Sequence, residues 1–191
     1  MRRRGKPEAI AKRKGHASDW SVDNIEAIGR VRIRPICPRD ADLYPAFANR
    51  ISVDDRRRRF LYAGPKQLTP AVLAQFTQID PKREMAFVAI DEKSNDLLGV
   101  ARMYNDPEGG GAEFAVVVRS DLQGKGLGAS LMRQLIQYAR SQKVTRLHGA
   151  VSAENTAMLH MCRRFGFINK DAGDGSLRQV VLSLQNIRAL N

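Results

Sequence analysis

Aromatic side chains are scarce in this chain: seven Phe, four Tyr and one Trp among 191 residues. A nucleic-acid groove that stacks bases needs aromatics set among its cations, and none stands where this chain's positive charge is densest. Cysteine is scarcer still. Cys37 and Cys162 lie far apart and match neither a CxxC pair nor a metal-ligand spacing. That argues against a disulfide framework or a zinc module, and for a reduced, cytoplasmic protein with no metal. No apolar run approaches the roughly 20 residues of a membrane span, and the N-terminus MRRRGKPEAIAKRKGH lacks the apolar stretch of a secretory signal.

Acids are outnumbered, 20 against 32 Lys and Arg, for a net charge of +12. Half of that excess sits in the first fourteen residues, where Arg2, Arg3, Arg4, Lys6, Lys12, Arg13 and Lys14 face only Glu8. Such a tail is suited to nucleic acid or an acidic partner; a solvated linker is the plainer account. The length suffices for one domain with its own core. We expect a basic tail or linker over 1–28, a single domain over 29–185 and a short C-terminal tail over 186–191.

Val31, Ile33 and Ile36 alternate with Arg30, Arg32 and Arg34, the period of a half-buried strand. A helix is expected next, opened by Asp40 as N-cap, with Leu43, Phe47 and Ile51 at four-residue steps. Arg56 to Arg59 lie on a second short helix, pointing in different directions. Thr69-Pro70 is an N-cap and first helical position. Met85 to Ile90 and Leu97 to Tyr104 form a hairpin, and residues 112–118 a third strand. A helix, a strand at Val144 to Val151, a helix at Asn155 to Phe165 and a strand at Gln179 to Leu184 complete the chain. This order describes an α/β domain: one mixed, mostly antiparallel sheet with helices on both faces.

The most informative stretch is AEFAVVVRSDLQGKGLGASLMRQLIQYA, residues 112–139. It reads as a strand, a turn with Gly124, Gly126 and Gly128, and a helix with Leu127, Leu131, Leu135 on one stripe. Bare backbone N–H groups at a helix N-terminus bind phosphate. A P-loop is excluded, because its four-residue spacing and Gly-Lys-Ser/Thr are missing. A dinucleotide fingerprint on Gly124, Gly126 and Ala129 lacks the acid about 20 positions on; the first, Glu154, comes too late. Glu113 opens the strand on the face of Ala115 and Val117. From its position alone it is either a solvated strand-end residue or a general base.

A third pattern, R/Q-x-x-G-x-G/A, is filled by Gln123, Gly126 and Gly128. With Val31-Arg32-Ile33-Arg34-Pro35, Arg39-Asp40-Ala41 and Asn155 with Ala157, Leu159 and Gly166-Phe167, the chain resembles the GNAT superfamily of acyl-CoA-dependent N-acetyltransferases over about residues 30 to 184. The resemblance implies a GNAT fold and acetyl-CoA as cosubstrate. It implies that Val116 and Val118 lend backbone groups to the pantetheine arm. The pyrophosphate is expected on the turn of Gln123, Gly124, Lys125, Gly126, Leu127, Gly128 and Ala129, with Asn155 also at the cofactor, and with Arg119 and Lys125 adding unpaired charge. It makes Glu113 the base that frees the acceptor amine of its proton. One departure stands out: where many members carry a tyrosine that protonates the leaving thiolate, this chain has Cys162, which either donates weakly or packs.

Within the superfamily, Arg34-Pro35, Asp40-Ala41-Asp42, Phe47, Ile51-Ser52, Arg59-Phe60 and Ala112 to Val118 look most like bacterial protein lysine acetyltransferases of the Pat type. Those often carry this domain after an acyl-CoA-synthetase-like region, absent from these 191 residues. The expected function is acetylation of a protein lysine, such as one on an acyl-CoA synthetase. The alternatives are acetylation of a small-molecule amine and a non-catalytic acyl-CoA sensor. The loops at 52–70 and 105–111 carry no chemical signature for the acceptor, and His148 and His160 receive no role.

Overall fold

Side-chain alternation on β3 (Glu84–Asp91) divides the core in two. Phe87 and Ala89 point to one face, into a cluster with Leu131, Leu135 and Ala139 of α4 (Leu127–Ser141). Ala86, Val88 and Ile90 point to the other, against Tyr44 and Phe47 of α1 (Tyr44–Ala48) and Leu73 and Phe76 of α3 (Pro70–Thr77). A strand read by both faces has period two, and both faces are covered. The computed structural model describes residues 21–60, 67–171, 173 and 175–185. The basic residues 2–14, segment 61–66 and the tail 186–191 lie outside the described residues, as do the side chains of Arg58, Arg59 and Phe60.

The sheet has eight strands in the order β1-β2-β3-β4-β5-β6-β8-β7. The remaining strands are β1 (Ser21–Ile25), β2 (Gly29–Pro35), β4 (Leu97–Asn105), β5 (Gly111–Val118), β6 (Arg146–Ser152), β7 (Ile168–Asp171) and β8 (Leu177–Ser183). Among the described residues β5–β6 is the parallel pair and every other neighbouring pair is antiparallel. The helices α2 (Val53–Phe60) and α5 (Thr156–Arg164) complete the fold. No helix among the described residues is long and apolar enough to cross a membrane.

α4 sits close on β4 because residue 99 is glycine. A Cβ there would lie 2.9 Å from Leu131 Cδ1 and 3.0 Å from the Val117 carbonyl oxygen. In return Leu127, Leu131, Met132 and Leu135 are fully buried. Each such side chain contributes about 1.5–3 kcal/mol relative to exposure.

Three details differ from the sequence reading. The sheet starts at Ser21, ahead of the boundary expected between 28 and 29. β1 is an edge strand whose Val22 is 38 % exposed, so its sequence shows no clean alternation. β7 was missed for the same reason: all four of its residues are exposed. The third detail concerns Asp40, which is not an N-cap. Residues Pro38–Leu43 form a 3-10 helix capped at Cys37, and α1 begins only at Tyr44. Pro45 has no N–H, so it cannot extend one continuous hydrogen-bonded helix through this point. Asp40 reaches back to accept from the Cys37 N–H at 2.8 Å and takes the Arg34 guanidinium bidentately, at 2.6 and 2.8 Å. Burial pushes its carboxyl up, but the Arg34 and Cys37 bonds outweigh that and hold it below the ordinary carboxylate value.

Candidate active site

The β5–β6 ladder is short. It pairs Gly111 with Arg146, Ala112 with Leu147 and Glu113 with His148, and stops there. β5 runs on to Val118 and β6 to Ser152, so the two strands diverge past the Glu113–His148 rung. On its other edge β5 stays paired with β4 as far as Val118–Gly99. The backbone of residues 114–118 therefore has no ladder partner on β6. A cleft of about 560 Å³ fills the opening, bounded by β5, the glycine turn and α5.

The turn at the far end of β5 is built for close approach. Gly124 has φ +73° and Gly126 φ +89°, left-handed values that glycine adopts without strain. Gly126 is the N-cap of α4, no side chain caps it, and no acid stands in the first turn. The first intrahelical bond runs from the Ser130 N–H to the Gly126 carbonyl at 3.1 Å. The N–H groups of residues 127–129 are thus without an intrahelical acceptor, at the positive end of a fifteen-residue helix.

Glu113, Val116, Val118, Gln123, Gly124, Gly126, Gly128, Ala129 and Asn155 all border this one cleft. Lys125 and Leu127 do not. Lys125 is exposed, and the Leu127 side chain is fully buried in the core, leaving only its backbone for the turn. Asn155 is the N-cap of α5, its Oδ1 accepting from the Met158 N–H at 3.1 Å. Arg119 is not the unpaired cation expected. Its guanidinium forks onto Asp121 at 2.8 and 3.1 Å and lies 3.7 Å from Asp96.

Other side chains at the cleft have no role in the sequence reading. Arg133 of α4 and His160 and Arg164 of α5 line it. The signal was present in helical spacing: Arg133 lies four residues beyond Ala129, and Arg164 lies three beyond Met161, on cleft-facing stripes. Asp55 of α2 also borders it. Its carboxylate accepts from the hydroxyls of Ser52, at 2.9 Å, and Ser120, while the Ser52 N–H donates to Ser120 Oγ at 2.8 Å. α2 is thereby tied to the segment leading into the glycine turn. Cys162 is on the other side of α5. It is 1 % exposed, within the core, and burial pushes its thiol up to about 12. It packs.

The family model for the acetyltransferase (GNAT) family matches residues 51–167. An acetyltransferase of Pseudomonas aeruginosa is 35 % identical over 164 residues, 85 % of this chain and 88 % of that one. This chain belongs to the GNAT acetyltransferase family. Acetyltransferase Pat of Mycolicibacterium smegmatis is 27 % identical over 144 residues, 74 % of this chain and 43 % of Pat. The GNAT domain of S. lividans PAT superposes with a TM-score of 0.79 at 20 % identity, covering 89 % of this chain and 99 % of that domain. The protein is therefore an acyltransferase with the GNAT fold, of a family that uses acetyl-CoA. The residues present fit that molecule: an uncapped helix N-terminus approached through glycines, and a strand edge with free backbone.

Proposed function

We propose that this protein transfers the acetyl group of acetyl-CoA to the side-chain amine of a protein lysine, with Glu113 as general base. The observation that carries the reading is the arrangement along β5. Glu113 stands on the last rung before the strands part, and the phosphate-type turn follows the other end of the same strand. About 17 Å of strand separates Glu113 from Val118, at roughly 3.3 Å per residue. A long extended donor that pairs with residues 114–118 as an added strand would have its phosphates at the turn and its thioester near Glu113. When bound, acetyl-CoA supplies an activated acyl group on a thiol leaving group.

Each part of the chain has its work in that scheme. The N–H groups of 127–129 would hold the pyrophosphate, and Val116 and Val118 would present main-chain groups to the arm. Glu113 is exposed, as a base must be to meet an amine arriving from solvent. A lysine is protonated at neutral pH, its reference pKa being about 10.4, so proton removal must precede attack. Cys162 is removed from the donor by burial, and the thiolate, a fair leaving group, takes its proton from water. The protein acceptor is supported by the likeness to the Pat proteins.

The test is acetyl-CoA with an acyl-CoA synthetase and, separately, with small amines, followed by mass spectrometry for acetylated lysine. Acetylated lysine is expected with the wild type. Glu113→Gln should lower the rate about 10²–10⁴-fold, the usual contribution of a positioned base, with acetyl-CoA affinity unchanged. Labelling of small amines alone would replace the protein acceptor with a small one. Equal labelling by wild type and variant would remove Glu113 as the base.

A further inference from the structure

Acetylation of an ammonium takes two protons off nitrogen. As the N–C bond forms and the C–S bond breaks, the sulfur leaves with the bonding pair, and one of the two protons reaches it by way of water. The other must leave the site in every turnover. Glu113, if it is the base, has to be emptied again.

The residue beside it is His148, on the facing strand at the last rung of the ladder. Paired residues of neighbouring strands present their side chains to the same face, with backbones about 4.8 Å apart. His148 Nε2 lies 2.8 Å from Asp106 Oδ1, and the second carboxylate oxygen of Asp106 takes Arg146 at 3.1 Å. The His148 bond above all, then Arg146, hold the Asp106 carboxyl below its ordinary value. An ionised carboxylate only accepts. Nε2 therefore carries the hydrogen and Nδ1 keeps its lone pair.

This carboxylate is held by a loop shaped for it. The Asp106 N–H donates to the Gly111 carbonyl at 2.9 Å, and Thr145 donates from both its N–H and its hydroxyl to the Gly110 carbonyl. A Cβ on Gly111 would fall 2.2 Å from Asp106 Oδ2 and 2.7 Å from Arg146 Nε, so only glycine lets the carboxylate fold back over the start of β5. Beyond His148 a second cleft of about 570 Å³, bordered by Asp106, Glu108, Arg146 and Gln179, opens outward.

We infer that His148, oriented by Asp106, takes the acceptor's proton on from Glu113 and releases it through this second cleft. The inference rests on the acetyl-transfer reading of the first cleft. The proton moves from the ammonium to the Glu113 carboxylate, then to Nδ1 of His148, giving an imidazolium that Asp106 stabilises, and then to water. His148 acts through Glu113, so it is a relay and positioning residue. The groups that face it are Glu113 from β5, Asp106 and Glu108 from the loop, Arg146 from its own strand, and Gln179 and Val181 from β8, with Tyr104 beyond Glu113 on β4.

Two measurements test the relay. The first needs no acceptor: the His148 imidazole is titrated by NMR in the full chain, in wild type and Glu113→Gln. Removing a neighbouring carboxylate should lower its midpoint by roughly half a unit or more, and nitrogen shifts should show Nε2–H in the neutral form. An unmoved midpoint, or the opposite tautomer, overturns the relay. The second follows thiol release from acetyl-CoA against pH, with poly-L-lysine and with spermidine as probes. Wild-type kcat should rise along the measured His148 titration; His148→Gln should lose that limb and about ten- to a hundred-fold in rate. Asp106→Asn should do the same, and the double variant no worse than either single one. The same limb in His148→Gln, or additive losses, overturns it. Failure of both probes in the wild type counts against the lysine acceptor, and the NMR result then decides the relay alone.

Discussion

Gly126 and Gly128 are two residues apart in the glycine turn, and replacing each by alanine should have opposite consequences. At Gly126 a Cβ meets nothing within 4 Å, but φ is +89°. The whole cost is backbone conformation, about 1–2 kcal/mol for an L-residue in the left-handed region. At Gly128 the φ is not in that region, and the Cβ would lie 3.5 Å from Met161 Sδ and 3.8 Å from Val118 Cγ2, ordinary contacts. There alanine gains up to about 1 kcal/mol from helix propensity. For a chain of this size 1 kcal/mol is roughly 2–4 °C in Tm. Gly126→Ala should therefore melt about 2–8 °C lower than wild type, and Gly128→Ala equal or up to about 4 °C higher. Thermal melts with and without acetyl-CoA give both stability and binding. Ligand at a hundred times Kd adds about 2.7 kcal/mol, so the upshift in wild type should be several degrees. It should be retained in Gly128→Ala, whose position accepts Gly or Ala in the R/Q-x-x-G-x-G/A pattern. It should shrink in Gly126→Ala, because relaxing the strained φ re-aims the N–H groups of the turn. A Gly126→Ala protein with wild-type Tm and upshift would refute the argument from turn geometry.

Two further outcomes follow from the ionisable groups. The Asp40 carboxyl is held below its ordinary value, so its contribution is full above the unfolded value of about 3.9 and fades as pH falls through the lower folded one. Asp40→Asn should cost about 1–3 kcal/mol at pH 7, the range for charged hydrogen bonds, and denaturant melts should show the gap to wild type closing below about pH 4. Cys162 is buried, with its thiol pushed up to about 12, whereas Cys37 is half-buried. A chromogenic disulfide reagent should titrate one thiol in the native protein and two in denaturant; two in the native state would place Cys162 at the cleft after all.

Periodicity made the central part of the fold legible. β5 and α4 have a strong two- or 3.6-residue pattern because each buries one face, while β3 and β4 read as near-continuous apolar runs because both of their faces are covered. β1 and β7 were illegible because edge strands bury little and alternate weakly. At the site, the turn was readable since glycines at 124, 126 and 128 interrupt an otherwise regular strand-to-helix passage. The pairing of Arg119 is not legible in the sequence, because its partners are two and 23 positions away, one local and one brought by the hairpin loop. The Asp106–His148 contact spans 42 residues and a parallel strand crossing; neither residue carries a local pattern that would announce the other.

The division of labour along β5 is a consequence of its period. Phe114, Val116 and Val118 face the α4 side and are buried, so Glu113, Ala115 and Val117 must face the other side. The same alternation puts Arg102 and Tyr104 of β4, and His148 of β6, level with the acid's face. The ladder ends at Glu113, and the next residue lies against β6. A Cβ at Gly149 would meet the Phe114 ring at 3.2–3.4 Å and its carbonyl oxygen at 3.3 Å, so Phe114 leans directly over the β6 backbone, its ring 5.1 Å from that of Phe167. Glycine at 149 leaves room for that ring, and from Phe114 to Val118 the β5 backbone has no ladder partner on β6. Glu113 sits at the apex of the opening, on the last rung of the ladder. One residue inserted before Phe114 would swap the faces and turn the carboxylate into the core.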